Sequence, residues 1–541
     1  MKTAILPLLS LVLMGAAPAN PISPARLSAD TKVLASDAFE GRAPGTKGEE
    51  QTLSWLIARL KAIGLEPAGP DGKWTQEVPL VRTQLGAGKF RAGSSDLRFG
   101  EDIYVSTVQP VGQVAINDAQ MVFVGYGVTA PERGWDDFKG VDLKGRIAVM
   151  LVNDPDFEAG PGDGSVDKFG ARRMTYYGRW AYKFEEAARR GAVAALVVHD
   201  TPGAGYGWDT VTASQGENYD IAGATGRLML QGWIHGEAAK RLLAASGLDL
   251  ATLRKASRQP EFKPVALKQR FSAEVPVTLN RVLSQNVLAR LKGAKVPGEY
   301  VMYGAHWDAY GVGTPDARGR TIRPGANDDA IGVAGLLEIA RAFKRGPRPD
   351  RSILFGFWTA EERGLLGSEA YALKPVVPAN KVAANITLDI LNTGGPSRDV
   401  MLVGQGQNSL EAELQRAATA QGRSVTPEAL PERGLFYRAD HFPMAKRGVP
   451  TLLLMAISGA PDLVKGGREA GTAWLDGYMK CYHQTCDEWH PGLDFGSVAA
   501  DVALAYQVGR SVARAGVWPA WNESSEFRAV REESLKETKA R

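Results

Sequence analysis

Cysteine is nearly absent: the 541 residues hold two, Cys481 and Cys486. At most one disulfide can form. Cys481-Tyr482-His483-Gln484-Thr485-Cys486 would close a small ring around a histidine, with two free thiols as the alternative. Charge of one sign is lacking too. Lys+Arg 64 against Asp+Glu 60 leaves a formal +4, which over so large a surface argues against a nucleic-acid binder. After the first residues no segment is apolar enough to span a bilayer, and there are no internal repeats or low-complexity tracts. What is present is globular, with 44% hydrophobic and 23% charged residues. The chain is too long for one ordinary core, so two or three domains are expected.

Met1-Lys2-Thr3 leads into an uncharged apolar run that reaches Ala17, and Ala17-Pro18-Ala19 fits a small-residue cleavage site. Residues 1–19 read as a signal peptide cut after Ala19, so export to the periplasm or the medium is expected. A short membrane anchor is the alternative, but the run falls short of the ~20 residues a span needs. No cysteine lies near the cleavage site, which argues against a lipid anchor there.

Residues 20–112 begin the folded part. Leu53, Leu56, Ile57, Leu60 and Ile63 mark an amphipathic helix closed by Gly64. Residues 113–262 form a second module, with strands expected at 121–124, 147–152 and 192–199 and a helix at 182–190. His199 and His235 stand alone there, as structural or surface histidines do. From about 275, strands alternate with helices, which argues for βαβ units and a mainly parallel sheet. Residues 263–519 hold these units, and the charged tail at 520–541 is expected to be mobile.

The chemistry gathers where strands end. The apolar run 300–305 stops at His306-Trp307-Asp308, and Asp328-Asp329 sit in a Gly/Asn-rich turn before a helix. The apolar run 353–358 is followed by Glu361-Glu362, and the run 384–388 by Asp389. In an open α/β sheet, ligands collect beyond the carboxyl ends of the strands. Imidazole with carboxylate oxygen suits zinc. Two histidines and three carboxylates would serve two metals that share one carboxylate. Adjacent Glu361 and Glu362 would diverge, leaving one to ligate and one to move protons. Asp308, two residues from His306, could accept the N–H of a ligating imidazole.

The ordered set His306-x-Asp308, Asn327-Asp328-Asp329-x-x-Gly332, Glu361-Glu362-x-Gly364-Leu365-Leu366-Gly367-Ser368, Asp389 and Tyr482-His483-x-x-x-Asp487 resembles the M28 family of co-catalytic zinc aminopeptidases. Glu40-Gly41-Arg42 is similar to an early segment of that family. Val124-Gly125-Tyr126-Gly127 and the stretch around Trp180-Ala181-Tyr182-Lys183 resemble the protease-associated (PA) domain inserted in many members. The resemblance implies an α/β fold: a mainly parallel mixed sheet flanked by helices, carrying a β-rich PA insert. It implies two zinc ions per chain, His306 and Asp389 on one, Glu362 and His483 on the other, and Asp328 bridging through a peptide to Asp329 that is often cis. Glu361 would be the base acting on a water held between the metals, and Tyr482 would polarise the scissile carbonyl. Asp308, Asp329 and Asp440 would support the ligands. Tyr437 is a substrate-pocket candidate, although Ala439 stands where serine is more usual, and His441 is open between a site and a structural role. Pocket walls are expected around Tyr310, Trp474 and Tyr478. The implied substrates are peptides cut at their N-terminus. A carboxypeptidase or dipeptidase, a glutaminyl cyclase, or a non-catalytic receptor-like module are the alternatives on the same fold.

Overall fold

The computed structural model describes residues 20–213 and 216–539; the candidate signal peptide at 1–19 lies outside the described residues. The fold is α/β, a large mixed sheet flanked by helices. The apolar runs read from the sequence become parallel neighbours in the order Thr451–Leu454, Val382–Leu388, Val296–His306, Arg351–Trp358. Every residue of Arg351–Trp358 and of Val382–Leu388 is buried. That is why these strands read as unbroken apolar stretches: both faces are covered.

One face is covered by the helices Pro24–Leu34, Lys47–Ile63, Ile331–Arg345 and Phe495–Val512, which share a core with the strands. Val333, Leu336, Leu337, Ala340 and Phe343 point inward from Ile331–Arg345, at the spacing of a helical stripe. Lys47–Ile63 ends at Gly64 in the left-handed conformation, as its sequence indicated. The helix Leu366–Leu373 adds Tyr371 and Ala372 to a smaller core on the other face.

Gly509 sets the approach of the last of these helices to the sheet. A Cβ there would lie 1.8 Å from the hydroxyl of Tyr303, which is fully buried and donates to the Ala505 carbonyl at 3.0 Å. Alanine is the better helix former by about 1 kcal/mol, but overpacking a tight core costs about 1–3 kcal/mol. The clash should win. Gly509→Ala is expected to lower the urea midpoint, and a rise would show that the helix has room to spare.

The strand Val265–Leu291 runs for 27 residues and belongs to both halves of the molecule. Its second half pairs antiparallel with Thr75–Leu85 and then with Arg351–Trp358. Its first half pairs with Gln113–Phe123, from which Ile147–Leu151, Ala194–His199 and Leu230–His235 continue in parallel. Ile103–Ser106 closes that edge antiparallel, so residues before 113 also contribute to the sheet of the 113–262 module. The lone histidines there are structural: His199 Nε2 faces the Tyr206 carbonyl at 3.1 Å, and His235 accepts from the Glu237 N–H.

The C-terminal tail departs from expectation. It forms the helix Arg528–Lys539, preceded by buried Trp521 and Phe527. Arg531 is buried as well and donates to the Ala379 and Val382 carbonyls. Two aromatic anchors and one buried guanidinium outweigh a charged composition. Among the described residues no helix is long and apolar enough to cross a membrane.

Candidate metal centre

The expected ligands converge. His306 ends its strand, and its Nε2 lies 3.1 Å from Asp328 Oδ1 and 4.0 Å from Asp389 Oδ1. His483 Nε2 lies 3.1 Å from the other oxygen, Asp328 Oδ2, and 3.2 Å from Glu362 Oε2. Asp328 therefore presents one carboxylate oxygen to each imidazole. Glu361 Oε2 stands 3.9 Å from His306 Nε2, with 11% of its side chain exposed.

The backbone is shaped to allow this. Ala360 before Glu361, Ile390 after Asp389, and His483 itself have φ of 51°, 53° and 63°. Non-glycine residues rarely adopt this region, and each costs about 1–3 kcal/mol, so surrounding structure must hold them. The Asp328–Asp329 peptide is cis. Gly325, at φ 54°, opens that turn, where a Cβ would lie 2.2 Å from the Asp328 carbonyl.

Supporting groups fix the ligands. Asp329 accepts from the His306 N–H at 3.1 Å and from the Gly332 N–H at 2.9 Å, tying strand end to helix start. Asp308 departs from expectation. His306 Nδ1 meets the Asp308 main-chain carbonyl at 3.0 Å, while the nearest carboxylate oxygen is 3.6 Å away, too far for a hydrogen bond. That carboxylate instead accepts from the Glu361 N–H at 3.1 Å, so Asp308 positions the turn before the glutamates. Asp440 accepts from the Ser368 hydroxyl.

Two supports were not legible as site residues. Asp487, four positions after His483, accepts from the N–H groups of Asn327 at 3.0 Å and Asp328 at 3.1 Å. Its place in the Tyr482-His483-x-x-x-Asp487 motif was the available signal. Arg42 is fully buried and donates to the carbonyls of Trp307, Leu34, Pro324 and Gly325 at 2.6–2.9 Å. It joins the first folded segment to the His306 strand end and to the Asp328 turn.

Tyr482 lies against His483, ring centroids 3.6 Å apart, and Tyr310 against the same imidazole at 4.4 Å. Trp474 stacks on Tyr478 at 6.1 Å, and Tyr478 approaches Tyr482 at 6.4 Å, so these aromatics lead to the site as a ladder. Burial and the charge of Asp328 raise the Tyr482 phenol well above its ordinary value, which keeps its proton in place. Tyr437 is not with them. It is buried among Tyr176, Phe442 and Phe527, and its hydroxyl donates to Glu526 at 2.8 Å. It fastens the 113–262 module and the tail to the sheet beside the site rather than lining a pocket. His441 is fully buried against Phe436, and burial pushes it down to about 3, so it stays neutral.

The donor set fits divalent cations. Three overlapping groups, His306/Asp328/Asp389, His306/Glu361/Glu362 and Asp328/Glu362/His483, each bring ligand atoms within 4.8 Å of one another. Asp389 Oδ1 and Asp440 Oδ2 are buried with no hydrogen-bond partner. Burial and the charge of Asp328 push the Asp389 carboxyl up to about 8, and burial raises Asp440 and Asp487 to about 7. Burial opposes ionisation of Asp328 as well, but hydrogen bonds from His306 and His483 hold it below its usual value. These are the shifts of carboxylates crowded together with too little positive charge.

Residues 286–504 match the family model described as Peptidase family M28. That segment belongs to peptidase family M28. The M28 segment contains every candidate ligand, while residues 113–262 and the Arg42 segment lie outside it. The chain is 29% identical over 207 residues to leupeptin-inactivating enzyme 1 of Streptomyces exfoliatus, covering 37% of this chain and 42% of that protein. It is 31% identical over 146 residues to a probable lipoprotein aminopeptidase of Mycobacterium tuberculosis, covering 27% and 25%. The chain thus spans less than half the length of these curated relatives. Among solved structures, an aminopeptidase from Aneurinibacillus sp. strain AM-1 is similar with a TM-score of 0.49 at 19% identity, over 92% of this chain and 95% of that one.

Proposed function

We propose that this protein is an exported dinuclear zinc aminopeptidase that removes N-terminal residues from peptides. The observation that carries this reading is Asp328, with one oxygen 3.1 Å from His306 Nε2 and the other 3.1 Å from His483 Nε2. His306 and Asp389 would hold one zinc, Glu362 and His483 the other, and Asp328 both. When bound, the pair supplies Lewis acidity, which lowers the pKa of water and polarises the scissile carbonyl.

The chain's own groups do the rest. Glu361, anchored through its N–H to Asp308, accepts the proton of the attacking water and returns it to the leaving amine. Tyr482, whose phenol keeps its proton, would donate it toward the developing oxyanion. The Cys481–Cys486 disulfide closes the loop that carries both Tyr482 and His483, and a disulfide supports an oxidising compartment such as the periplasm or the medium. Residues 113–262 are read as the PA-like unit.

Metal analysis should find two zinc ions per chain. Chelation should abolish hydrolysis of aminoacyl p-nitroanilides, and zinc should restore it. N-acetylated peptides should be refused. Equal cleavage of acetylated and free peptides would replace the aminopeptidase with a carboxypeptidase. Metal binding without any hydrolysis would favour a receptor-like module.

A further inference from the structure

We propose that the cavity between the insert and the catalytic sheet binds the peptide residues that follow the cleaved bond, through an apolar side chain. The inference rests on the aminopeptidase reading above and concerns where the remainder of the substrate lies. The cavity measures about 390 Å³, within the range of small-ligand sites. The helix Trp180–Arg189 forms one wall with Trp180, Ala181 and Phe184, and Leu228 and Trp233 form another. The acidic groups in the lining are already engaged: Asp220 pairs with Arg227 at 2.7 Å, Glu217 with Arg82, and Glu185 with Lys446 at 3.4 Å. Indole and phenyl surface is what the cavity offers, so its occupant is an aromatic or large aliphatic side chain.

Position links the cavity to the chemistry. Arg363, two residues after Glu361, lines its catalytic end. The Arg363 guanidinium lies 5.2 Å from the Tyr219 ring of the insert and 5.0 Å from the Tyr310 ring, and Tyr310 packs on His483. One layer of side chains therefore separates the cavity from the ligands. The Arg363 guanidinium also lies 3.9 Å from Glu217 Oε2, and its Nε has no acceptor, which leaves that N–H for a carbonyl of a peptide crossing the layer. A chain whose N-terminal residue sits at the ligands would continue over Arg363 and lodge a side chain among Trp180, Phe184 and Trp233.

The test uses full-length, zinc-loaded protein and the peptide Leu-Gly-Gly-Gly, with Phe replacing each glycine in turn. Phe at one of these positions should raise kcat/KM about tenfold, the worth of burying part of an aromatic ring. Ala181→Trp, which fills the cavity from a half-buried position, should erase that gain and leave hydrolysis of leucyl p-nitroanilide unchanged. The favoured peptide with its first bond reduced to an amine should show the same selectivity by calorimetry, including on metal-free protein. A gain that survives in folded Ala181→Trp, or no gain at any position, overturns the proposal. Failure to hydrolyse leucyl p-nitroanilide overturns the parent reading instead. Phe-selective binding that is lost in Ala181→Trp would still uphold the cavity as a peptide site.

Discussion

Glu361→Gln is expected to lower kcat about a thousandfold while zinc content, KM and thermal midpoint stay close to those of the native protein. Glutamine keeps the shape and the hydrogen-bonding reach of glutamate but cannot accept the proton of the attacking water. General acid–base catalysis contributes about 10²–10⁴, which sets the size of the loss. The backbone N–H of Glu361 would still donate to Asp308, so the turn should not move. Glu362→Gln makes the contrast. Glu362 Oε2 lies 3.2 Å from His483 Nε2 inside a ligand group, and its loss should show first as lost metal. Single-turnover kinetics with metal analysis of both variants checks the pair. A Glu361→Gln enzyme within tenfold of native kcat would remove Glu361 from the proton path.

Arg42→Met should destabilise the fold by about 3–5 kcal/mol, read as a lower urea midpoint at unchanged slope. The side chain is fully buried, and its guanidinium serves four carbonyls that come from three separate stretches of chain. Methionine fills similar volume but leaves those acceptors unpaired, and each buried orphan costs about 1–3 kcal/mol. The positive charge matters too. Burial lowers the proton affinity of Arg42, and Asp308, Asp487, Asp329 and Asp328 work in the other direction. Removing the cation would leave those carboxylates less compensated. Arg42→Lys should recover little, because an ammonium cannot reproduce the planar fork that spans these acceptors. A loss below about 1 kcal/mol for Arg42→Met would mean that water replaces the guanidinium.

These two residues mark the limit of what the sequence discloses. The four parallel strands are legible because burial on both faces enforces continuous apolar runs, and the ligands are legible because each follows such a run at a strand end. Val265–Leu291 is harder to see. It alternates exposed and buried residues, carries Pro276 at its middle, and changes partners along its length. Arg42 sits in a short motif, but three of its four acceptor carbonyls lie more than 260 residues away, which no local pattern encodes. Tyr437 misleads for a related reason. The groups around it, Tyr176 and Glu526, come from the insert and the tail, so its surroundings depend on how three distant segments meet. The tail itself is polar on average, and Trp521, Phe527 and Arg531 are large side chains that it buries.

The strand shared by both halves also governs how the molecule can breathe. A hinge needs a few residues whose dihedral angles are free to change. Along this strand there is no such linker: Pro276 is registered with Gln113, and the next residue, Val277, with Leu85. Swinging the insert away would mean tearing a laterally bonded ribbon or twisting it along its length. Access to the buried carboxylates is then expected through rotation of rim side chains such as Tyr219, Tyr310 and Arg363. Heat should likewise melt the two halves together, as one cooperative body.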